Sequence, residues 1–314
     1  MSSRVLFAVA CGFAAALCNL APQSGSPGGL MLSLVTPLPL FFAGLTQSWL
    51  AAVAAGLVAT AVMLGYGFVS GAGMTTALVF LAATAAPVIV LVRQTLLARQ
   101  DDGGLVWYPV DRLAWWLGGI GIAFGIAAIV MMETTPFRDT ADQVFASLFA
   151  GADMGAEETE SLREGFRRLI PPIFAASSVM LLVFNGVLAQ RIAKSTGRAV
   201  RPDLPLSEMR LPVSAAIALA VLSLASAFLP GTLSMIGAVG GAVLSALFVL
   251  QGLAVAHWLI RNRTRGGATL AVFYMAALFM MFVMTPVLLL TLMLLGVADG
   301  FLDLRRRGSG STGT

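Results

Sequence analysis

The sequence predicts an all-α, polytopic transmembrane helix bundle of about ten membrane segments, with both termini on the cytoplasmic side. Three observations carry that expectation. Apolar runs of roughly twenty residues, the length that crosses a hydrocarbon core of about 30 Å, recur along the chain. Only 11% of the 314 residues are charged and 58% are apolar, with a mean hydropathy of +0.91; a soluble domain carries about 25% charged residues. The basic residues also gather on alternate connections, as topology determinants do.

The segments follow in order as Arg4–Leu20, Leu30–Leu45, Trp49–Val69, Thr75–Leu97, Arg112–Met132, Ile170–Gln190, Leu211–Leu229, Leu233–Ile260, Ala268–Val283 and Pro286–Leu304. For the first, a cleaved signal peptide is the competing reading, with small residues at Ala14–Ala16. Its apolar run continues through Cys18 and Leu20, long for a signal sequence, which favours a retained helix. The second contains Pro37-Leu38-Pro39, and two prolines two apart kink or break a helix. Pro87 repeats the theme in the fourth. The last two segments form one apolar run, too long for a single crossing. Thr285-Pro286 is the natural break, because Pro286 has no N–H and disfavours helical geometry at Thr285.

With the N-terminus inside and ten crossings, fifteen basic residues fall inside (Arg4, Arg93, Arg99, Arg112, Arg191, Lys194, Arg198, Arg201, Arg210, Arg261, Arg263, Arg265 and Arg305 to Arg307) and four outside (Arg138, Arg163, Arg167, Arg168). That asymmetry supports both termini inside. Residues 1–304 are expected as one membrane domain, and 305–314 as a disordered cytoplasmic tail. Asp303 and Arg307, at i,i+4 spacing, are expected to pair.

The large connection from Glu133 to Leu169 carries eight acids and four arginines and lies outside in this topology. Asp139-Thr140 can cap a short helix with Val144, Phe145, Leu148 and Phe149 on one face. A second helix is expected near Glu157–Leu169, with its acids first and its arginines last, as the helix dipole favours. Leu162, Phe166 and Leu169 form its apolar stripe. Both are expected as interfacial helices, lying on the outer leaflet or capping the bundle, or equally as a solvated connector of helical character.

Several function classes are excluded or disfavoured. The net charge of +4 is spread over helix ends and makes no nucleic-acid footprint. There is one histidine, His257, and no metalloprotease, P-loop or nucleophile-elbow motif, so no enzyme is expected and no cofactor is implied. Cys11 and Cys18 are seven residues apart on one helix, about 10 Å, too far for a disulfide.

The informative residues are polar ones inside apolar segments. Asn19 and Gln23 close the first helix, Asn185 lies in the sixth segment and Gln251 in the eighth. Amides in lipid are costly unless they meet partners in the bundle or line a cavity. With Pro37 and Pro39 breaking the neighbouring helix, they are candidate ligand contacts around an outward-facing cavity; Ser24-Gly25-Ser26-Pro27-Gly28-Gly29 would be the flexible loop above it. Small-xxx-small pairs at Ala10/Ala14, Gly121/Gly125 and Gly237/Gly241 suit close helix packing.

The C-terminal stretch Gly296-Val-Ala-Asp299-Gly300-Phe-Leu-Asp303-Leu-Arg305-Arg306-Arg307, the early Pro37-Leu38-Pro39-Leu40, and the length and hydropathy together resemble the YybS-like family of bacterial membrane proteins (domain of unknown function 2232). That family is distantly similar to the S components of energy-coupling-factor transporters, bundles of about six helices. The resemblance implies a bacterial inner-membrane, transporter-like protein that binds a small molecule. It also implies a transmembrane coupling subunit and ATPases as partners, docked through small residues of the first helix, here Ala10 and Ala14. A non-catalytic scaffold for envelope assembly or division is the alternative, with the acidic connection and the arginine-rich loops as docking sites.

Overall fold

A computed structural model describes residues 3–151, 155–263 and 267–305. The residues expected as one membrane domain group into two compact units. One takes the chain up to Leu117 together with Met180–Leu204; the other takes Gly118–Val179 and the chain from Pro205 onward.

In the first unit, α1 (Ser3–Leu20) packs on α4 (Trp49–Ser70) through Ala8, Gly12, Ala15 and Ala16, all buried. A Cβ at Gly12 would lie 2.5 Å from the Ala55 carbonyl oxygen, so the two backbones nearly touch. The stretch expected as a flexible loop is instead an ordered connection. A 3₁₀ turn at Ala21–Ser24 leads to Ser26, whose Oγ accepts from the Gly29 N–H at 3.1 Å and caps α2 (Pro27–Ser33). The chain breaks at Leu34–Thr36 and resumes as α3 (Pro37–Thr46), where Pro37 and Pro39 require it. Further on, α5 (Met74–Phe80) runs through a widened turn at Leu81–Ala85 into α6 (Ala86–Thr95). Pro87 has no N–H to return to Ala83, and the Ala86 N–H bonds five residues back to Leu81.

One element departs from the all-α expectation. Ala98–Asp101 (β1) and Gly104–Trp107 (β2) form an antiparallel hairpin, with Ala98 facing Trp107 and Asp101 facing Gly104. Gly104 takes φ +118°, a conformation that side-chain-bearing residues rarely adopt. The hairpin joins α6 to α7 (Val110–Met132), whose first eight residues belong to this unit.

The second unit begins within α7. A Cβ at Gly121 would lie 2.6 Å from Val179, and Gly125 meets Val239, so the Gly121/Gly125 pair serves packing inside the unit. Gly237 does the same against the backbone of α10 (Val213–Phe228), where a Cβ would lie 2.7 Å from the Ser226 nitrogen. α8 (Thr135–Leu148) starts at Thr134, five residues before the expected Asp139 cap, because Pro136 fits the first turn of a helix. It buries Ala141 and Phe145, whereas Val144, Leu148 and Phe149 are exposed.

The second expected connector helix is not a separate interfacial element. It is the start of α9 (Ala156–Ser195), a 40-residue helix that continues through Pro171 and Pro172. At 1.5 Å per residue it is about 60 Å long, so its charged first turns must project beyond the hydrocarbon. They pack on α8. Arg167 grips the Asp142 carboxylate with two nitrogens, Nε at 2.8 Å, and Phe166 stacks against Phe145 at 5.8 Å. The Arg167 guanidinium holds the Asp142 carboxyl below its ordinary range.

α11 (Gly231–Arg263), α12 (Gly267–Val283) and α13 (Thr285–Leu302) complete the unit, and the break at Met284 sits beside Pro286 as expected. α11 and α13 cross at Gly252 and Gly296. A Cβ on either glycine would run into a carbonyl of the other helix. Among the described residues eight helical stretches are long and apolar enough to cross a membrane, while α10 and part of α12 are shorter apolar helices. The protein is therefore a multi-pass helical membrane protein. Residues 306–314 of the expected tail, including Arg307, lie outside the described residues. Arg305 is no part of a free tail, and Asp303 meets Arg210 at 3.2 Å.

Candidate functional site

The helix break of the first unit is where its sequence and its buried polar atoms converge. Pro37 and Pro39 have no N–H, and the Leu38 N–H turns back to Val35 at 3.0 Å, so the Leu34 carbonyl loses its usual helical donor. Asn185 of α9 reaches it across the unit. Its Nδ2 donates to Leu34 O and to Leu181 O, both at 2.9 Å. Both partners are carbonyls, which only accept, and this fixes which end of the amide faces them. The Asn185 Oδ1 therefore points away, buried and without a donor. Thr36, two residues from the bridged carbonyl, also buries a hydroxyl without a partner. Asn185 is 0% exposed and Thr36 2%. Next to the bridge, Gly186 faces Phe41 of α3, where a Cβ would make ordinary contact with the ring at 3.6 Å.

Pro37 is buried at the first turn of α3, and Pro39 is half-buried. Asn19 is half-buried at the end of α1, and Gln23 is exposed on the 3₁₀ turn. Neither amide is hydrogen-bonded among the described residues. Ala10 is exposed and Ala14 half-buried, off the face that α1 turns to α4.

Gln251 belongs to the second unit, where both ends of its amide are engaged. Its Oε1 accepts from the Leu211 N–H at 2.8 Å, and its Nε2 donates to Gly296 O at 3.0 Å and Asp299 Oδ2 at 3.2 Å. It ties the entry of α10 to α13. Asp299 is fully buried, and Arg305 donates to its Oδ2 at 2.7 Å and to the Met209 carbonyl at 3.0 Å. Asp299 lies near the end of α13, and nothing in its local sequence marks its burial. The spacing Asp299 to Arg305, across a helix end, is the only trace of the pair in the sequence. His257 meets the Tyr274 hydroxyl at 2.8 Å.

A third polar centre has no signature in the local sequence. Arg201 is one of the basic residues expected inside, yet it is 3% exposed. Its Nε donates to Asp203 O at 2.9 Å, and one terminal nitrogen to Thr95 O and Tyr108 O at 3.2 and 3.1 Å. Its guanidinium stands 5.8 Å from the Trp107 ring, and its own carbonyl accepts from Gln190. The Val200 N–H reaches Leu45 O at 2.9 Å. These bonds gather the ends of α3, α6 and α9 and the start of α7 into one arginine-rich end of the first unit. Burial pushes the Arg201 guanidinium below its ordinary range. A cavity of about 340 Å³ opens beside it, lined by residues of the hairpin and of the first turn of α7.

No curated protein and no solved structure matches the chain. One family, described as "Predicted membrane protein (DUF2232)", matches residues 25–300 and takes in both the helix break and the Gln251–Asp299 contact. With most of its length inside that match, the chain belongs to the family of membrane proteins defined by domain of unknown function 2232.

Proposed function

We propose that the protein is a transporter-like component of the bacterial inner membrane that binds a small polar molecule at the α2–α3 break. The observation that carries this reading is the pair of buried, unpartnered polar atoms there, Thr36 Oγ1 and Asn185 Oδ1. Buried polar atoms are normally paired, and broken membrane helices are tolerated beside a cavity or a binding site. Asn185 Oδ1 only accepts, so the ligand would bring an N–H or O–H donor to it. Asn19 and Gln23, with free amides at the end of α1, would meet the ligand on its way in. Gln251 drops out of this site, because its own unit uses both ends of its amide. On this reading the protein binds and passes on its ligand without transforming it. The energy would come from a coupling subunit with ATPases, docked on the open Ala10–Ala14 face of α1.

The test is purification in mild detergent followed by mass spectrometry of co-purifying small molecules. Thr36→Val and Asn185→Leu should each lose a molecule that the parent protein retains, with the fold intact by circular dichroism. Equal retention in parent and variants would overturn the site.

The scaffold reading is favoured by a different feature. α8 and the first turns of α9 form a pinned helical pair that leaves Val144, Leu148, Phe149 and Leu162 exposed. Removing residues 139–164 would cost a scaffold its protein partners and leave ligand retention untouched.

A further inference from the structure

We propose that the cavity between the β1–β2 hairpin and the first turn of α7 binds the phosphate headgroup of an anionic phospholipid. Its walls are Leu97, Arg99, Trp107, Tyr108, Pro109 and Arg112. Their side-chain polar groups are almost all donors. Arg112 stands 6.0 Å from the Tyr108 ring and has no carboxylate partner among the described residues. Arg99 meets Asp101 at 3.2 Å, but 76% of its side chain is exposed, so that pair is weak and exchangeable. The Tyr108 oxygen accepts from Trp116 Nε1 at 3.3 Å, which leaves its own O–H to donate. The Trp107 indole N–H has no acceptor among the described residues.

Behind this wall lies Arg201, a buried cation whose partners are carbonyl oxygens and the Trp107 ring, with no carboxylate in reach among the described residues. A guanidinium held this way keeps its charge, and carbonyl dipoles offset it only in part. Two guanidiniums in the wall, one behind it, two further donors and no free side-chain acceptor make a pocket for an anion. Arg planes suit phosphate oxygens in particular.

The surroundings select a lipid over a soluble phosphate. Exposed Leu97, Leu105, Val106, Trp115 and Trp116 rim the same end of the unit, where α6 and α7 emerge from their apolar spans. Tryptophans and arginines at that level mark the membrane–water interface, and exposed aliphatic side chains there meet acyl chains. The Asp111 carboxylate, also on the first turn of α7, is not among the cavity-lining residues.

The experiment is native mass spectrometry of the full-length protein in detergent, titrated with dioleoylphosphatidylglycerol and, separately, dioleoylphosphatidylcholine. The parent protein should bind the phosphatidylglycerol in preference. Arg99→Gln/Arg112→Gln should weaken that binding about thirtyfold, at roughly one charge–phosphate contact per arginine. Arg163→Gln/Arg168→Gln, two arginines of the other unit, should leave it unchanged. A parent protein with no preference between the two lipids would overturn the proposal without needing any variant. So would a double variant that keeps the preference while its circular dichroism matches the parent. Displacement of the lipid by millimolar glycerol 3-phosphate would also overturn it, since the pocket would then be a soluble-phosphate site. None of these outcomes bears on ligand retention at the α2–α3 break.

Discussion

Each unit of this protein has a fully buried amide that reaches from one helix to another, Asn185 in the first and Gln251 in the second, and the two are used differently. In the second unit Gln251 makes three hydrogen bonds, and the Asp299 it touches is matched by Arg305 through Oδ2, with only its Oδ1 left without a partner. In the first, Asn185 makes two bonds and leaves its oxygen bare, and the hydroxyl of Thr36, two residues from the carbonyl it bridges, is equally bare. A satisfied buried amide holds helices together. An unsatisfied one costs free energy unless a further molecule completes it. The difference is what sets the proposed binding at the α2–α3 break apart from the structural contact at the α11–α13 crossing, although the two amides look equivalent as residues in apolar runs.

Breaking the second unit's network should have the largest effect. Asp299→Leu leaves Arg305, 12% exposed, facing an apolar site, and should cost about 3 kcal/mol in denaturant unfolding in mixed micelles. Asp299→Asn keeps the contact to Gln251 and should cost less. If both variants unfold with the parent, Gln251–Asp299 is no structural node and the comparison collapses.

Gln251→Leu comes next, at about 1–2 kcal/mol, because it strands the Leu211 N–H and the Gly296 carbonyl. Thr36→Val should have the opposite sign. Removing a buried hydroxyl that bonds to nothing should raise the stability of the ligand-free protein by about 0.5–1 kcal/mol, measured in the same assay. A clear loss of stability would show that the hydroxyl is bonded in the fold and would remove half of the proposed site.

The smallest effect concerns pH at the α8–α9 contact. Asp142 is held below its ordinary range by Arg167, so the pair adds stability above the unfolded carboxyl value and loses it as pH falls through the lowered native one. Protease resistance of α8 should therefore stay level from pH 8 to about 5 and fall only below about pH 4. An equal fall in Asp142→Asn would mean that other carboxylates are responsible.

The helices themselves were readable because their cause is local. An apolar run of about 20 residues, a proline without an N–H and a chain poor in charge act wherever the chain lies. Membrane character, the break at Pro37, and the start of a new helix beside Pro286 follow from that. The hairpin left a local trace too, in Asp102-Gly103 followed by Gly104, but a four-residue strand is too short for its alternation to stand out.

What local sequence could not reveal is which polar side chains meet. Asn185 and Leu34 are 151 residues apart, Gln251 and Asp299 are 48 apart, and Arg201 reaches a carbonyl 106 residues away. Residue type alone made Asn185 and Gln251 equivalent, and made Arg201 one more loop cation. The sequence by itself determined a multi-pass helical membrane protein and its helix breaks at Pro37 and beside Pro286. Only the tertiary structure decided which buried polar atoms find partners and which stay open, because hydrogen bonding depends on distance and direction in space and not on separation along the chain.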